Sequence, residues 1–150
     1  MPEHDQAALF ELFNEIGIIE QLSRATLEAR LPGGLIAPHF TVLNHLTRLG
    51  DGRAPIDMAR AFQVPKTTLT HTLKGLEAQG LIEMRPNPDD GRSKLVYLTE
   101  AGQSLRDRTI ESLGPDFERI AEGVDMDSLK GIVPALRALR IFLDADRDKR

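Results

Sequence analysis

Two short apolar runs, Leu81-Ile82-Glu83-Met84-Arg85 and Leu95-Val96-Tyr97-Leu98, flank a stretch of proline, glycine and charge from Pro86 to Lys94. That pattern demands a β-hairpin with a charged tip, Asp90-Gly91-Arg92-Ser93-Lys94. Directly upstream, the segment Lys66 to Gln79 places Leu69, Leu73 and Leu76 on one helical face. Gly80 follows it, the residue type suited to the left-handed position after a helix. A helix handed straight into a basic hairpin is the arrangement that organises the rest of the chain.

Pro55 opens a short helix before it, with Ile56, Met58, Ala59 and Phe62 available for packing, and Gln63-Val64-Pro65 makes the turn between the two. A short helix, a tight turn and a second helix form a helix-turn-helix. Further upstream, Pro38 suits the first turn of a helix whose inner face is Val42, Leu43, Leu46 and Leu49, and Gly50-Asp51-Gly52 stops it. Thr99 is placed as the N-cap of the helix that follows the hairpin.

The two ends read as long amphipathic helices. Residues 6–30 carry Leu9, Phe13, Ile16 and Ile19 at helical spacing, widened by Phe10, Leu12 and Leu22, up to the breaker Pro32-Gly33-Gly34. From about 100 to 124 the stripe is Ala101, Leu105, Leu113, Phe117, Ile120 and Val124, with a kink expected at Pro115. After Asp125-Met126-Asp127 a last helix, about 128–146, carries Leu129, Ile132, Val133, Leu136, Leu139 and Leu143. The expected fold is mainly α (α+β): one domain over 1–150, with a winged helix-turn-helix core at about 38–99. Helices at about 1–34 and 100–147 flank it. The flanking stripes are too broad and long to be buried on so small a core, and docking the ends of two chains would bury them. The alternative is a monomer whose end helices pack on their own body.

Composition removes several function classes. With no cysteine, disulfides, thiolate catalysis, Cys-zinc sites and thiol redox sensing are excluded. The four histidines, at 4, 39, 45 and 71, form no zinc-protease motif, and no metal or other cofactor is expected. His39 and His45 lack the one-face i, i+4 spacing of a metal pair and read as structural or exposed. No apolar run approaches a membrane span and the first residues lack the pattern of a signal peptide, so the default location is cytoplasmic. The net charge is −4, yet residues 48–98 hold eight Lys/Arg against six Asp/Glu, a centre of +2 between acidic ends. That fits a protein touching phosphate with one face.

On the helix 66–79, Lys66, Thr67, Thr70, His71 and Lys74 fall opposite the leucines at about 100° per residue. An α-helix fits the major groove, where base edges present distinct donors and acceptors. Hydroxyls serve either role, lysines neutralise phosphate or donate to guanine, and Thr68 near the helix start is placed to join backbone amides at a phosphate. In the hairpin, the planar, weakly hydrated guanidinium of Arg92 suits a narrow electronegative groove. Asp90 is placed to hold Arg92 through charge-assisted hydrogen bonds, Lys94 faces backbone phosphate, and Gly91 permits the turn.

The chain resembles the MarR family of winged helix-turn-helix regulators. The residues that carry the resemblance are the Asp90-x-Arg92-x-Lys94 wing, the passage Leu76-Glu77-x-x-Gly80-Leu81-Ile82, and Leu98-Thr99-x-x-Gly102 after the wing. The order of two N-terminal helices, winged core and long C-terminal helices extends it over nearly the whole chain. The resemblance implies a homodimer, held by helices from both termini, on a pseudo-palindromic double-stranded DNA operator. It implies a transcriptional regulator, usually a repressor, released by a small and often aromatic or phenolic ligand. Pro65 departs from the family, which often has a polar capping residue there.

Each signal has a plainer reading. Alone, Asp90, Arg92 and Lys94 would be a solvated turn, and Lys66 and Lys74 an exposed helix face; their joint placement favours DNA. His71 is as readily solvent-exposed as base-reading. Phe10, Phe13, Phe40 and Phe117 are either plain core or the lining of an effector pocket between end helices and core. The rival function is a winged helix that binds another protein and no DNA. An enzyme would need a convergent acid, base or nucleophile set, and the carboxylates are scattered on helix faces.

Overall fold

In the computed structural model, which describes residues Met1–Arg150, the helix boundaries fall at the sequence's breakers. The order is α1 Glu3–Glu28, α2 Ala37–Leu49, α3 Pro55–Phe62, α4 Lys66–Ala78, β1 Ile82–Asn87, β2 Asp90–Leu98, α5 Glu100–Ser112, α6 Gly114–Gly123 and α7 Met126–Arg147. The protein is mainly helical with one antiparallel hairpin: a winged helix-turn-helix. The α3–α4 turn closes on Gln63 in the left-handed region (φ 57°), and Gly80 ends α4 with φ 70°.

One core cluster holds the winged unit together. It is built from Val42, Leu43 and Leu46 of α2, Met58 and Ala59 of α3, the α4 leucines, Ile82 and Val96 of the hairpin, and Leu105 of α5. Leu49 and Ile56, expected inside, are exposed instead. Each lies at an end of its helix, where the chain turns away from the core.

The hairpin is longer than its apolar text. Pairing runs from Ile82 opposite Leu98 out to Asn87 opposite Asp90, with an irregularity after Pro86. The connecting turn is therefore only Pro88-Asp89, and the charged segment 90–94 lies within β2. Gly91 does not use a positive φ, correcting the turn-forming role expected of it. A third segment flanks the hairpin: Arg53 exchanges backbone hydrogen bonds with Val96 at 3.3 and 2.8 Å.

At Pro115 the expected kink is a break, with the chain leaving one helix at Leu113 and starting another at Gly114. Proline is tolerated in a helix's first turn and disfavoured within. Asp125 caps α7 by accepting from the Asp127 amide at 3.2 Å. Neither α1 nor α7 contains a buried residue. No helix is long and apolar enough to cross a membrane.

Candidate nucleic-acid interface

The rotation of α4 is fixed from below. Leu69, Leu73 and Leu76 are 2%, 4% and 0% exposed. Thr72 is buried with them, its hydroxyl donating to the Thr68 carbonyl at 3.2 Å. With that face locked, Lys66, Thr67, Thr70, His71 and Lys74 are all exposed. The Thr70 hydroxyl donates to the Lys66 carbonyl at 2.9 Å, leaving its lone pairs outward as acceptors. Thr68 is exposed too, but it lines a cleft of about 330 Å³ with Arg24, Pro38 and Thr41, towards α1 and α2.

The start of α4 has no side-chain cap. Its first internally bonded amide is that of Leu69, donating to the Pro65 carbonyl at 3.1 Å. The amides of Lys66, Thr67 and Thr68 stay open at the positive end of the helix dipole. The proline that departs from the family's text thus leaves donors where a phosphate would sit.

At the wing, Arg92 and Lys94 are exposed. Asp90 acts on the backbone of Arg92: its Oδ1 accepts the Arg92 amide at 3.0 Å. It forms no ion pair with the guanidinium, so the expected Asp90–Arg92 side-chain clamp is corrected to a main-chain one. Asn87 Nδ2 donates to Ser93 Oγ at 3.2 Å, and Asn87 Oδ1 accepts from the Asp89 amide at 2.9 Å. The tip is thereby held by its own polar side chains while its cations stay free. Behind it, Arg85 stacks over the Tyr97 ring at 4.0 Å and pairs with Glu83 at 3.3 Å.

The cations of this surface are unpaired, as are Arg48, Arg53, Arg108, Lys130, Arg137 and Lys149 elsewhere in the molecule. Lys66, Lys74, Arg92 and Lys94 enter no ion pair. Elsewhere, Arg24, Arg30, Arg60, Arg85, Arg106, Arg119, Arg140, Arg147 and Arg150 each face a carboxylate. Unanswered cations beside exposed hydroxyls and open amides are what a phosphate backbone would neutralise.

Two histidines are built into the fold. His39 Nδ1 accepts the Ile36 amide at 3.0 Å, closing the start of α2. His45 is buried edge-on against Phe62, with ring centroids 4.9 Å apart. Burial lowers the pKa of both. The charges of Arg48 and Arg53 add to the effect at His45, and His71 adds to it at His39.

The matching family model, described as MarR family, covers residues 33–93, from the loop before α2 through the wing tip. Apo MarR from E. coli is 25% identical, with a TM-score of 0.73, over 85% of this chain and 96% of that one. A mutant E. coli MarR complexed with operator DNA is 24% identical, with a TM-score of 0.70, over 88% of this chain and 95% of that one. Another MarR structure is 21% identical, with a TM-score of 0.82, over 93% of this chain and 95% of that one. This chain therefore shares the fold of those MarR structures along most of its length.

A second concavity lies away from the α4 face. Phe40 and Phe117 line one cavity between α1, α2, α5 and α6. Phe10 and Phe13, the other two aromatics considered for a pocket, are exposed on α1. Sequence reasoning missed the contacts that join these elements. Asn44 Oδ1 accepts from Arg106 at 3.1 and 3.3 Å, and Asp116, 6% exposed, is held by Arg30 at 2.9 Å and Arg119 at 3.2 Å. Asn44–Arg106 and Arg30–Asp116 are 62 and 86 residues apart, beyond any local signal.

Proposed function

We propose that this chain is a sequence-specific, double-stranded DNA-binding transcriptional regulator, acting as a homodimer on a pseudo-palindromic operator in the cytoplasm. The observation that carries the reading is the α4 surface: exposed threonines and unpaired lysines with three open amides at the helix start. Lys66, Thr67, Thr70, His71 and Lys74 face the major groove. Thr68 contributes at the first turn through its amide. Arg92 and Lys94 contact the minor groove or backbone, with Asp90 ordering the Arg92 main chain. The operator complex of the E. coli relative supports DNA as the partner. The reading assigns no catalysed reaction.

The homodimer is supported by surface area. A folded monomer of 16.7 kDa exposes about 7,600 Å², whereas this chain exposes 10540 Å². The excess of roughly 2,900 Å² is on the scale of what an obligate interface buries. The exposed apolar residues concentrate on α1 and α7: Phe10, Ile19 and Leu22 on one, Ile132, Ile141 and Phe142 on the other. In this reading the regulator is a repressor released by a small effector, which enters the cavity lined by Phe40 and Phe117.

A mobility shift against a pool of random duplexes separates this function from a protein-interaction module. Retarded DNA, lost when Thr67, Thr70 and Arg92 are replaced together by alanine, is the expected result. No retardation at low salt and micromolar protein would support the protein-binding alternative.

A further inference from the structure

Gly75 and His39 stand where other residues would serve their helices better. Gly75 is inside α4 with no positive φ to require it, and an interior glycine costs a helix stability. A Cβ at Gly75 would lie 3.0 Å from His39 Nε2, so the missing side chain lets the imidazole close against α4. His39 stands at the third position of α2, where glutamate or glutamine ordinarily bonds back to the amide before the helix. Its Nδ1 does that work, accepting the Ile36 amide at 3.0 Å.

That bond fixes the tautomer. An Nδ1 that accepts carries no proton, so the ring's proton is on Nε2. Burial and the neighbouring His71 lower the pKa, so the ring is neutral at pH 7.5. Nε2–H makes no hydrogen bond within the protein and is not sealed from solvent. The ring lies against Gly75, which is about 40° round α4 from His71. It therefore borders the exposed face of Thr67, His71 and Lys74. A helix about 10–12 Å across fills a groove about 12 Å wide, so its edges lie against the phosphate walls. A committed donor at such an edge meets a phosphate oxygen before it meets a base.

We propose that His39 Nε2 donates a hydrogen bond to a DNA phosphate at the edge of the major groove, one such contact from each subunit, and that Gly75 leaves it room. The contact rests on the DNA-binding reading above and extends its surface from α4 and the wing to the start of α2. It sets the position of α4 in the groove without reading sequence, because phosphates carry no sequence information. A neutral ring releases no counterion, so the contact adds affinity without steepening the salt dependence.

The test uses the full chain and a duplex recovered from the random pool. His39→Asn keeps an acceptor for the Ile36 amide but is too short to place a donor where Nε2 lies. It should weaken binding about tenfold, one hydrogen bond lost from each of two subunits, with the salt slope unchanged. His39→Gln, which can both cap and donate, should bind within about twofold of the parent. His39→Glu caps α2 at least as well but sets a carboxylate against the phosphate. It should match the parent in urea denaturation and bind DNA more weakly than His39→Asn. Ethylating one particular phosphate per half-site should weaken binding by the parent and not by His39→Asn. Unchanged affinity in His39→Asn, or a loss that leaves the ethylation pattern as in the parent, overturns the contact and leaves His39 a cap alone. Parent-like binding by His39→Glu does the same. If the parent chain retards no duplex, the DNA-binding reading fails and the contact with it.

Discussion

Gly102 carries the tightest steric requirement of the glycines. A Cβ there would lie 2.1 Å from the Leu81 carbonyl oxygen and 2.8 Å from a Leu98 methyl. The neighbouring Thr99 explains why the chain comes so close. Its hydroxyl donates to the Gly80 carbonyl at 2.7 Å and accepts the Gly102 amide at 3.0 Å, tying the end of α4 to the start of α5. Gly102→Ala should therefore destabilise the fold by about 3 kcal/mol, checked by urea denaturation. Gly91→Ala, where a Cβ meets nothing within 4 Å, should be nearly neutral. The buried His45 gives a pH prediction. Its native pKa lies below the ordinary value, so the unfolded chain takes up a proton that the native state refuses. Its stabilising contribution is fully present above about pH 6.5 and is lost as pH falls through the lowered native value. His39, lowered in the same direction, adds to the loss. Melting temperature should drop between pH 7.5 and 5.5, and His45→Gln should shrink the drop. An undiminished drop would acquit His45. The cap at Thr99 was legible in the sequence. Gly102 was legible as part of the Leu98-Thr99-x-x-Gly102 text, but the reason for it was not, because the atom it avoids belongs to a strand entry far from it along the chain.

At the scale of elements, α4 was the most legible, because leucine spacing and a terminal glycine report helix, face and end together. The wing was legible as a hairpin but not in its register. Polar residues 90–94 look like loop text, and only pairing of Asn87 with Asp90 draws them into the strand. The third segment at Arg53 had no signal, since a single bridged residue carries no period. Asp51, whose Oδ1 accepts the Leu98 amide at 2.6 Å, was likewise read only as part of a stop. Two variants test the two probes separately. Arg92→Ala should weaken operator binding about tenfold and leave the association state unchanged; unchanged affinity would remove the wing from the mechanism. Lys74→Ala should weaken binding to all duplexes alike and flatten the slope of log K against log salt by about one. A changed base preference at constant slope would make Lys74 a reader of sequence instead.

For the whole molecule, the sequence showed that the end helices have apolar stripes, but not what covers them. The structure removes one answer, since neither α1 nor α7 buries a residue on its own subunit. Ile19→Glu, at a position 59% exposed in the single chain, should shift sedimentation from dimer to monomer while the winged core keeps its helical signal. A monomeric parent protein would contradict the paired arrangement outright. If two copies each present α4 and a wing to one duplex, the symmetry must be written in the DNA they choose. Selecting preferred duplexes from a random library with the purified chain reads this directly. The expected result is enrichment of an inverted repeat whose half-site centres lie about 10–10.5 base pairs apart or a multiple of that. Recovery of no enriched sequence, or of a single unrepeated half-site, would contradict it.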